Sequence, residues 1–235
     1  MRLDGLEGRV ALVTGGGRGI GRAIAETLRD QGARVADGDL EAPAIEGVLG
    51  VELDVTSPES VDSAFARIES ELGSVELLVL NAGIYVVEPF EETSLDSWRR
   101  TLEVNLTGAF LCARRALPAM RENRFGRIVA IGSSAGKTGG KRNAAAYGAS
   151  KAGIMVMAKS IASEYAEHGI TANALAPALI DTEMIAGIRD LTSTIPVGRP
   201  GKPEEVAAVV AYLCSTQAAY ITGEVVDVNG GFLID

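Results

Sequence analysis

Short β-rich runs alternate with amphipathic stretches from one end of the chain to the other, and no linker, internal repeat or composition break interrupts them. Strands joined through helices run parallel, and a parallel sheet needs helices on both faces to bury its two apolar sides. The strand-like runs are Arg9 to Thr14, Ala33 to Gly38, Val48 to Asp54, Val75 to Asn81, Arg127 to Ser133, Ile170 to Ala176 and Glu224 to Val228. Helical periodicity runs over Ile20 to Gln31, Ser57 to Leu72, Ser97 to Arg121, Tyr147 to His168 and Pro203 to Ser215. Pro58 and Pro203 fall in a first helical turn, where a missing N–H costs nothing. The pattern predicts an α/β, doubly wound Rossmann fold: a seven-stranded parallel sheet with helices on both faces. At 235 residues and 47% hydrophobic, one domain over 1–235 has enough apolar material for a single core.

Ligands of such sheets sit beyond the carboxyl ends of the strands, so the residues just after each strand carry the chemistry. After the first strand comes Thr14-Gly-Gly-Gly-Arg-Gly-Ile-Gly21, which opens the first helix. Gly15, Gly17, Gly19 and Gly21 allow a backbone to approach a pyrophosphate and offer it N–H groups at a helix start, with Arg18 and Ile20 in the same turn. The spacing is G-x-x-x-G-x-G, because Ile20 stands where the third glycine of G-x-G-x-x-G would fall. About twenty residues on, Asp39 closes the second strand, where a carboxylate accepts hydrogen bonds from adenosine ribose hydroxyls and repels a 2′-phosphate. That favours NAD(H), with NADP(H) kept open by Arg18, whose guanidinium could reach a 2′-phosphate. Asp37 lies on the same strand face and competes for Asp39's role.

Tyr147-Gly-Ala-Ser-Lys151 supplies the second half of a redox site. A spacing of four places phenol and ammonium one turn apart on one helix face, and a nearby cation is one way to bring a tyrosine into acid/base range.

Composition excludes several classes. A net charge of -9 argues against general nucleic-acid binding. The N-terminus has no signal-peptide layout and no apolar stretch approaches the ~20 residues of a membrane span, so a cytoplasmic protein is expected. Cys112 and Cys214 lie in apolar helical contexts without ligand spacing, and His168 is the only histidine, so no metal site is expected. His168 is explained by its place at a helix C-terminus.

The ordered series Thr14 to Gly21, Asp54-Val55, Asn81-Ala-Gly83, Val104-Asn-Leu-Thr-Gly108, Ile131-Gly-Ser-Ser134, Tyr147 to Lys151, Pro177 to Thr182, Ile221-Thr-Gly-Glu224 and Asn229-Gly-Gly231 resembles the short-chain dehydrogenase/reductase family over essentially the full length. Members like the 3-oxoacyl-[acyl-carrier-protein] reductases are especially similar. The resemblance implies a catalytic set of Asn105, Ser133, Tyr147 and Lys151. It also implies a cofactor site in which Asp54 and Val55 flank the adenine, Asn81, Ala82 and Gly83 line the dinucleotide, and Pro177, Ile180 and Thr182 sit by the nicotinamide carboxamide. Tyr147 would be the general acid in reduction and the base in oxidation. Lys151 would lower its pKa and hold the nicotinamide ribose, Ser133 would hold the substrate oxygen, and Asn105 would anchor a water leading from Lys151 to solvent. Strand register favours Ser133 as the serine, while the family's usual interval of thirteen residues before the tyrosine lands on Ser134.

The chain departs from the family between Asp39 and Val51, where there is room for about one helical turn, and at Met184 to Pro196, a short segment for a substrate cover. Lys137, Lys141 and Arg142 could draw an anionic substrate or form a solvated basic loop. Arg124 matches one basic carrier-docking position and His168 replaces the other. Three functions follow: an NAD(H)-linked alcohol/carbonyl oxidoreductase, an NADPH-linked 3-oxoacyl-[acyl-carrier-protein] reductase, and a dinucleotide-sensing regulatory protein. The expected partners are a small alcohol or carbonyl substrate or an acyl carrier, in a homotetramer built on the two long helices and the C-terminal strand, with no nucleic acid and no membrane.

Overall fold

The computed structural model describes residues 3–140, 143–183 and 193–234. Seven strands form one parallel sheet in the order β3-β2-β1-β4-β5-β6-β7. They are β1 (Val10–Thr14), β2 (Arg34–Asp39), β3 (Leu49–Glu52), β4 (Leu77–Leu80), β5 (Gly126–Ile131), β6 (Ile170–Pro177) and β7 (Val225–Val228). The main helices are α1 (Gly19–Asp30), α2 (Pro58–Glu71), α3 (Leu95–Leu102), α4 (Gly108–Glu122), α5 (Ser134–Thr138), α6 (Ala145–Tyr165) and α7 (Pro203–Cys214).

Period-two alternation along the strands divides the apolar residues between two layers. Leu12, Leu78, Leu80, Ile128 and Ala174 face the layer of α2, α4 and α6, where Phe65, Ile68, Met120 and Ile154 are buried. Ala11, Val13, Val79, Val129 and Leu175 face α1 and α7, with Ile24, Leu28, Val206 and Val210. Strand order reverses between β1 and β4, so the chain ends of these two strands open a crevice at the carboxyl edge.

The expected strands and helices are all present, and three local differences bear on the site. The helix expected over Ser97 to Arg121 is α3 and α4 joined by a π-helical turn at Glu103–Thr107. That wider turn carries Asn105, whose amide is drawn to the backbone of Ile84: Oδ1 accepts its N–H at 2.8 Å and Nδ2 donates to its carbonyl at 3.0 Å. The third strand stops at Glu52, short of the expected Asp54, because the Asp54 carboxylate turns the chain by accepting from Thr56 N–H at 2.9 Å and its hydroxyl at 2.7 Å. The short helix α5, not foreseen, is capped by Ser133, whose Oγ accepts the Ala135 N–H at 3.1 Å. Between β2 and β3 there is no helix, as the short sequence requires, and the Pro43 carbonyl packs directly over Gly50.

Phe65 on α2, 1% exposed, is the largest side chain buried in its layer. Phe65→Ala is expected to destabilise the fold by about 3–5 kcal/mol, read as a lowered midpoint in urea unfolding with the m-value retained.

Candidate active site

Two side chains tie the ends of β1 and β4 together. The Thr14 hydroxyl accepts the N–H groups of Asn81 at 3.0 Å and Ala82 at 3.1 Å, and Asn81 Nδ2 donates to the carbonyls of Thr14 at 3.0 Å and Gly15 at 2.8 Å. The glycine turn is thereby held against the second strand of the crevice. Gly15 and Gly19 have φ of +68° and +56°, values that favour glycine. A Cβ on Gly15 would meet the Ala82 Cα at 2.7 Å, and one on Gly21 would meet the Gly15 carbonyl at 2.3 Å. Helix α1 begins with no side-chain cap and no acidic residue in its first turn, which leaves its positive end for an anion. This bare helix end and close-packed glycine cradle fit the pyrophosphate of a dinucleotide.

On the adenosine side, Asp39 Oδ2 accepts the Gly17 N–H at 3.1 Å and Oδ1 accepts the Leu40 N–H at 2.8 Å. Its carboxylate faces the turn, at the mouth left open by the missing helix. Arg18 points the other way, in an exposed ion pair with Glu183 at 3.2 Å. Asp37 lies in the same column as Asp39 but is fully buried under Gly16. Asp54 and Val55 follow β3; hydrogen bonds from Thr56 hold the Asp54 carboxyl below the usual range, and Val55 packs on Gly108.

Across the crevice, Ile20, Asn81, Gly83, Ser133, Tyr147 and Lys151 line a solvent-open cleft together with Pro177, Ile180 and Thr182. Thr182 packs against Gly19, so the segment after β6 meets the glycine turn. Ser133 lines the same cleft and acts to lower the Tyr147 pKa. Ser134 instead starts α5 and gives its carbonyl to the Thr138 hydroxyl at 3.0 Å, so the strand register and not the thirteen-residue interval identifies the serine that faces the tyrosine. The buried Lys151 ammonium donates to the Ile131 carbonyl at 2.7 Å and lies 5.8 Å from the centre of the Tyr147 ring. Burial pushes the Lys151 pKa down to about 8.

Burial pushes the Tyr147 phenol above its ordinary pKa, with Ser133 opposing and Tyr85 adding, while the Lys151 ammonium is itself desolvated and engaged by a carbonyl. Asn105 stands beside Lys151, both within 3.5 Å of where a Gly83 Cβ would be. Its amide is taken up by Ile84 and by Ser150 Oγ, the latter at 3.0 Å.

Tyr85 escaped the sequence reading. Its ring meets that of Tyr147 edge to face, with centroids 4.8 Å apart. The one signal was its position two residues after Asn81-Ala-Gly83, on a loop that Asn105 pins through Ile84.

Lys137 is neither a substrate lure nor a solvated loop residue: it pairs with Asp227 at 2.6 Å. Arg124 donates to the Glu167 carbonyl at 2.9 Å, and His168 ends a short 3₁₀ turn after α6. Lys141, Arg142 and residues 184–192 of the shortened segment lie outside the described residues. Cys112 and Cys214 are buried thiols pushed up to about 12, and no metal-ligating cluster occurs among the described residues. Among those residues no helix is long and apolar enough to cross a membrane.

A dinucleotide cradle facing an enclosed tyrosine, serine and lysine is the equipment of a nicotinamide-dependent oxidoreductase. A family model described as Enoyl-(Acyl carrier protein) reductase matches residues 15–233. The 3-oxoacyl-[acyl-carrier-protein] reductase of Escherichia coli is 43% identical over 238 residues, covering 96% of this chain and 97% of that protein. The 3-ketoacyl-(acyl-carrier-protein) reductase of Brucella melitensis, solved with NADH, superposes with a TM-score of 0.94 at 33% identity, over 97% of this chain and 100% of that one. The ligand-free aldohexose dehydrogenase of Thermoplasma acidophilum gives 0.93 at 36% identity, over 98% and 96%. The chain belongs to the short-chain dehydrogenase/reductase family. It is an oxidoreductase that acts on CH–OH groups with NAD or NADP as acceptor.

Gly21→Ala places a methyl against the Gly15 carbonyl and Asn81 Nδ2. Dinucleotide affinity in a fluorescence titration is expected to fall at least about tenfold, or ~1.4 kcal/mol.

Proposed function

We propose that the protein is an NAD(H)-preferring enzyme that interconverts a secondary alcohol and a ketone, with Tyr147 as the general acid/base. The observation that carries the cofactor choice is Asp39: its carboxylate is fixed on the Gly17 and Leu40 N–H groups, where it meets ribose hydroxyls and repels a 2′-phosphate. Arg18, the one basic candidate for that phosphate, is turned toward Glu183. The Brucella relative was solved with NADH, which supports the same choice.

A nicotinamide dinucleotide held by the glycine turn, Asn81 and Lys151 would supply or accept the hydride. In reduction Tyr147 passes its phenolic proton to the carbonyl oxygen as that oxygen becomes negative, and in oxidation its phenolate takes the alcohol proton. Ser133, in the same cleft as Tyr147, donates to the same oxygen and stabilises its developing charge. Lys151 returns a proton toward Tyr147 and holds the ribose beside it. Asn105 fixes the Ile84 backbone and with it the loop that carries Tyr85 against Tyr147. Asp54 and Val55 would border the adenine, and Pro177, Ile180 and Thr182 the carboxamide. The exposed Phe110 on α4 and Val156 on α6 support a homotetramer built on those helices and the C-terminal strand. Its one-domain subunits act in the cytoplasm.

The relatives favour a second reading, an NADPH-linked 3-oxoacyl-[acyl-carrier-protein] reductase. Cofactor choice separates the two. NADH is expected to bind at least about tenfold more tightly than NADPH to the wild type, and Asp39→Ala to lose that preference. Tighter NADPH binding by the wild type would move the carrier reductase to first place.

Tyr147→Phe is expected to lose about 10²–10⁴ of its turnover while NADH affinity stays within about twofold. Lys151 is charged below its pKa of about 8 and neutral above it, so ketone reduction is expected to fall as pH rises through about 8. Full activity in Tyr147→Phe, measured by NADH absorbance, would remove Tyr147 from the mechanism.

A further inference from the structure

Among the described residues, Asp37 is a buried acid with both carboxyl oxygens unpartnered, a position that neither the fold nor the mechanism explains. It sits in the middle of β2, an interior strand, between Val13 of β1 and Gly50 of β3 in register. Its side chain is 0% exposed, and neither carboxyl oxygen has a hydrogen-bond partner. An unpartnered carboxylate in such surroundings is costly, whereas the neutral acid is far cheaper to bury. The carboxyl presses against the glycine turn so closely that a Cβ on Gly16 would lie 2.0 Å from Oδ1. The next acid on that strand face, Asp39, holds the following amide of the same turn. Two carboxyl groups therefore flank a backbone stretch whose other ligand is a pyrophosphate.

We propose that Asp37 is an affinity-determining residue of the dinucleotide site: it is neutral when a pyrophosphate lies on the Gly15–Gly19 turn, and its ionisation in the free enzyme opposes binding. This rests on the reading of that turn as the dinucleotide site. The charged groups acting on Asp37 are few. Burial raises its pKa to about 7, Asp39 on its own strand raises it further, and Arg22 from α1 lowers it. The Gly16 N–H also lowers it without reaching hydrogen-bonding geometry. Arg22 is half exposed and paired with Glu26, so it compensates little. The flanking Val13 and Gly50 carry no charge.

The sign follows from the raised pKa. Below about 7 Asp37 is neutral in free and bound protein alike, and binding is at full strength. Above it the free enzyme is ionised, and a phosphate anion at the turn must first be matched by uptake of a proton. NADH affinity thus falls as pH rises, toward a limiting slope of about tenfold per pH unit.

The test is a fluorescence titration of NADH, whose pyrophosphate stays ionised throughout, from about pH 6 to about pH 8. Wild type is expected to lose about tenfold more affinity across this range than Asp37→Asn, which mimics the neutral acid. Asp37→Ala is the second variant, expected to share the shallower profile of Asp37→Asn although it leaves a small cavity. Lys151 titrates near the upper limit but is present in all three proteins, so only the difference in slope belongs to Asp37. Calorimetry in two buffers of unlike ionisation enthalpy counts the proton directly: uptake near pH 7 in wild type and a smaller uptake in both variants. Equal slopes and equal uptake overturn the proposal while leaving the dinucleotide site intact. Binding of neither NADH nor NADPH by wild type at any pH overturns the reading of the turn itself, and this proposal with it.

Discussion

The bond set between Thr14 and Asn81 is the constraint on which the site depends. One hydroxyl and one amide join the ends of β1 and β4 where strand order reverses, and the glycine turn is hung from them. Without that tie the turn would be a flexible run of glycines, and the entropy of ordering it would fall on ligand binding. With it, the bare end of α1 is aimed in advance at one point of the crevice.

The catalytic side of the crevice follows the same logic of fixing backbone before side chains. The π turn in the α3–α4 path exists where the Asn105 amide reaches Ile84, and Ile84 fixes the loop that carries Tyr85 against Tyr147. Ser133 plays two parts, capping α5 through Ala135 and meeting Tyr147. Lys151 is held from below by the end of β5 through the Ile131 carbonyl. Each functional group is therefore placed by an element terminus, where the sheet and its helices converge. Burial sets the electrostatics: it pushes Lys151 down and Tyr147 up, disfavouring the charged form of each.

Asp37 and Asp39 show how two identical residues on one strand face diverge. Asp39, at the strand end, finds two amide donors and the edge of the crevice. Asp37, two residues deeper, finds a glycine Cα and no donor in hydrogen-bonding geometry. Alternation alone put them in one column, and depth along the strand decided their chemistry.

The sequence by itself determined the architecture, because period-two and period-3.6 patterns report directly which faces must be buried, and the glycine turn after β1 reports where a backbone must come close. It also brought Tyr147 and Lys151 into view through their spacing on one helix, and the family resemblance, with the strand register, singled out Ser133. Contacts between elements distant in the chain were beyond it. Tyr85 against Tyr147, Asn105 on Ile84 and Lys137 on Asp227 join residues 62, 21 and 90 positions apart, and nothing local marks them. The burial of Asp37, the turning of Arg18 toward Glu183 and the upward push on Tyr147 were likewise decided only in the tertiary structure. The physical reason is common to all of them: a side chain's partners and its solvation are set by what the fold packs around it, and a pattern read along one strand or helix carries only its own periodicity.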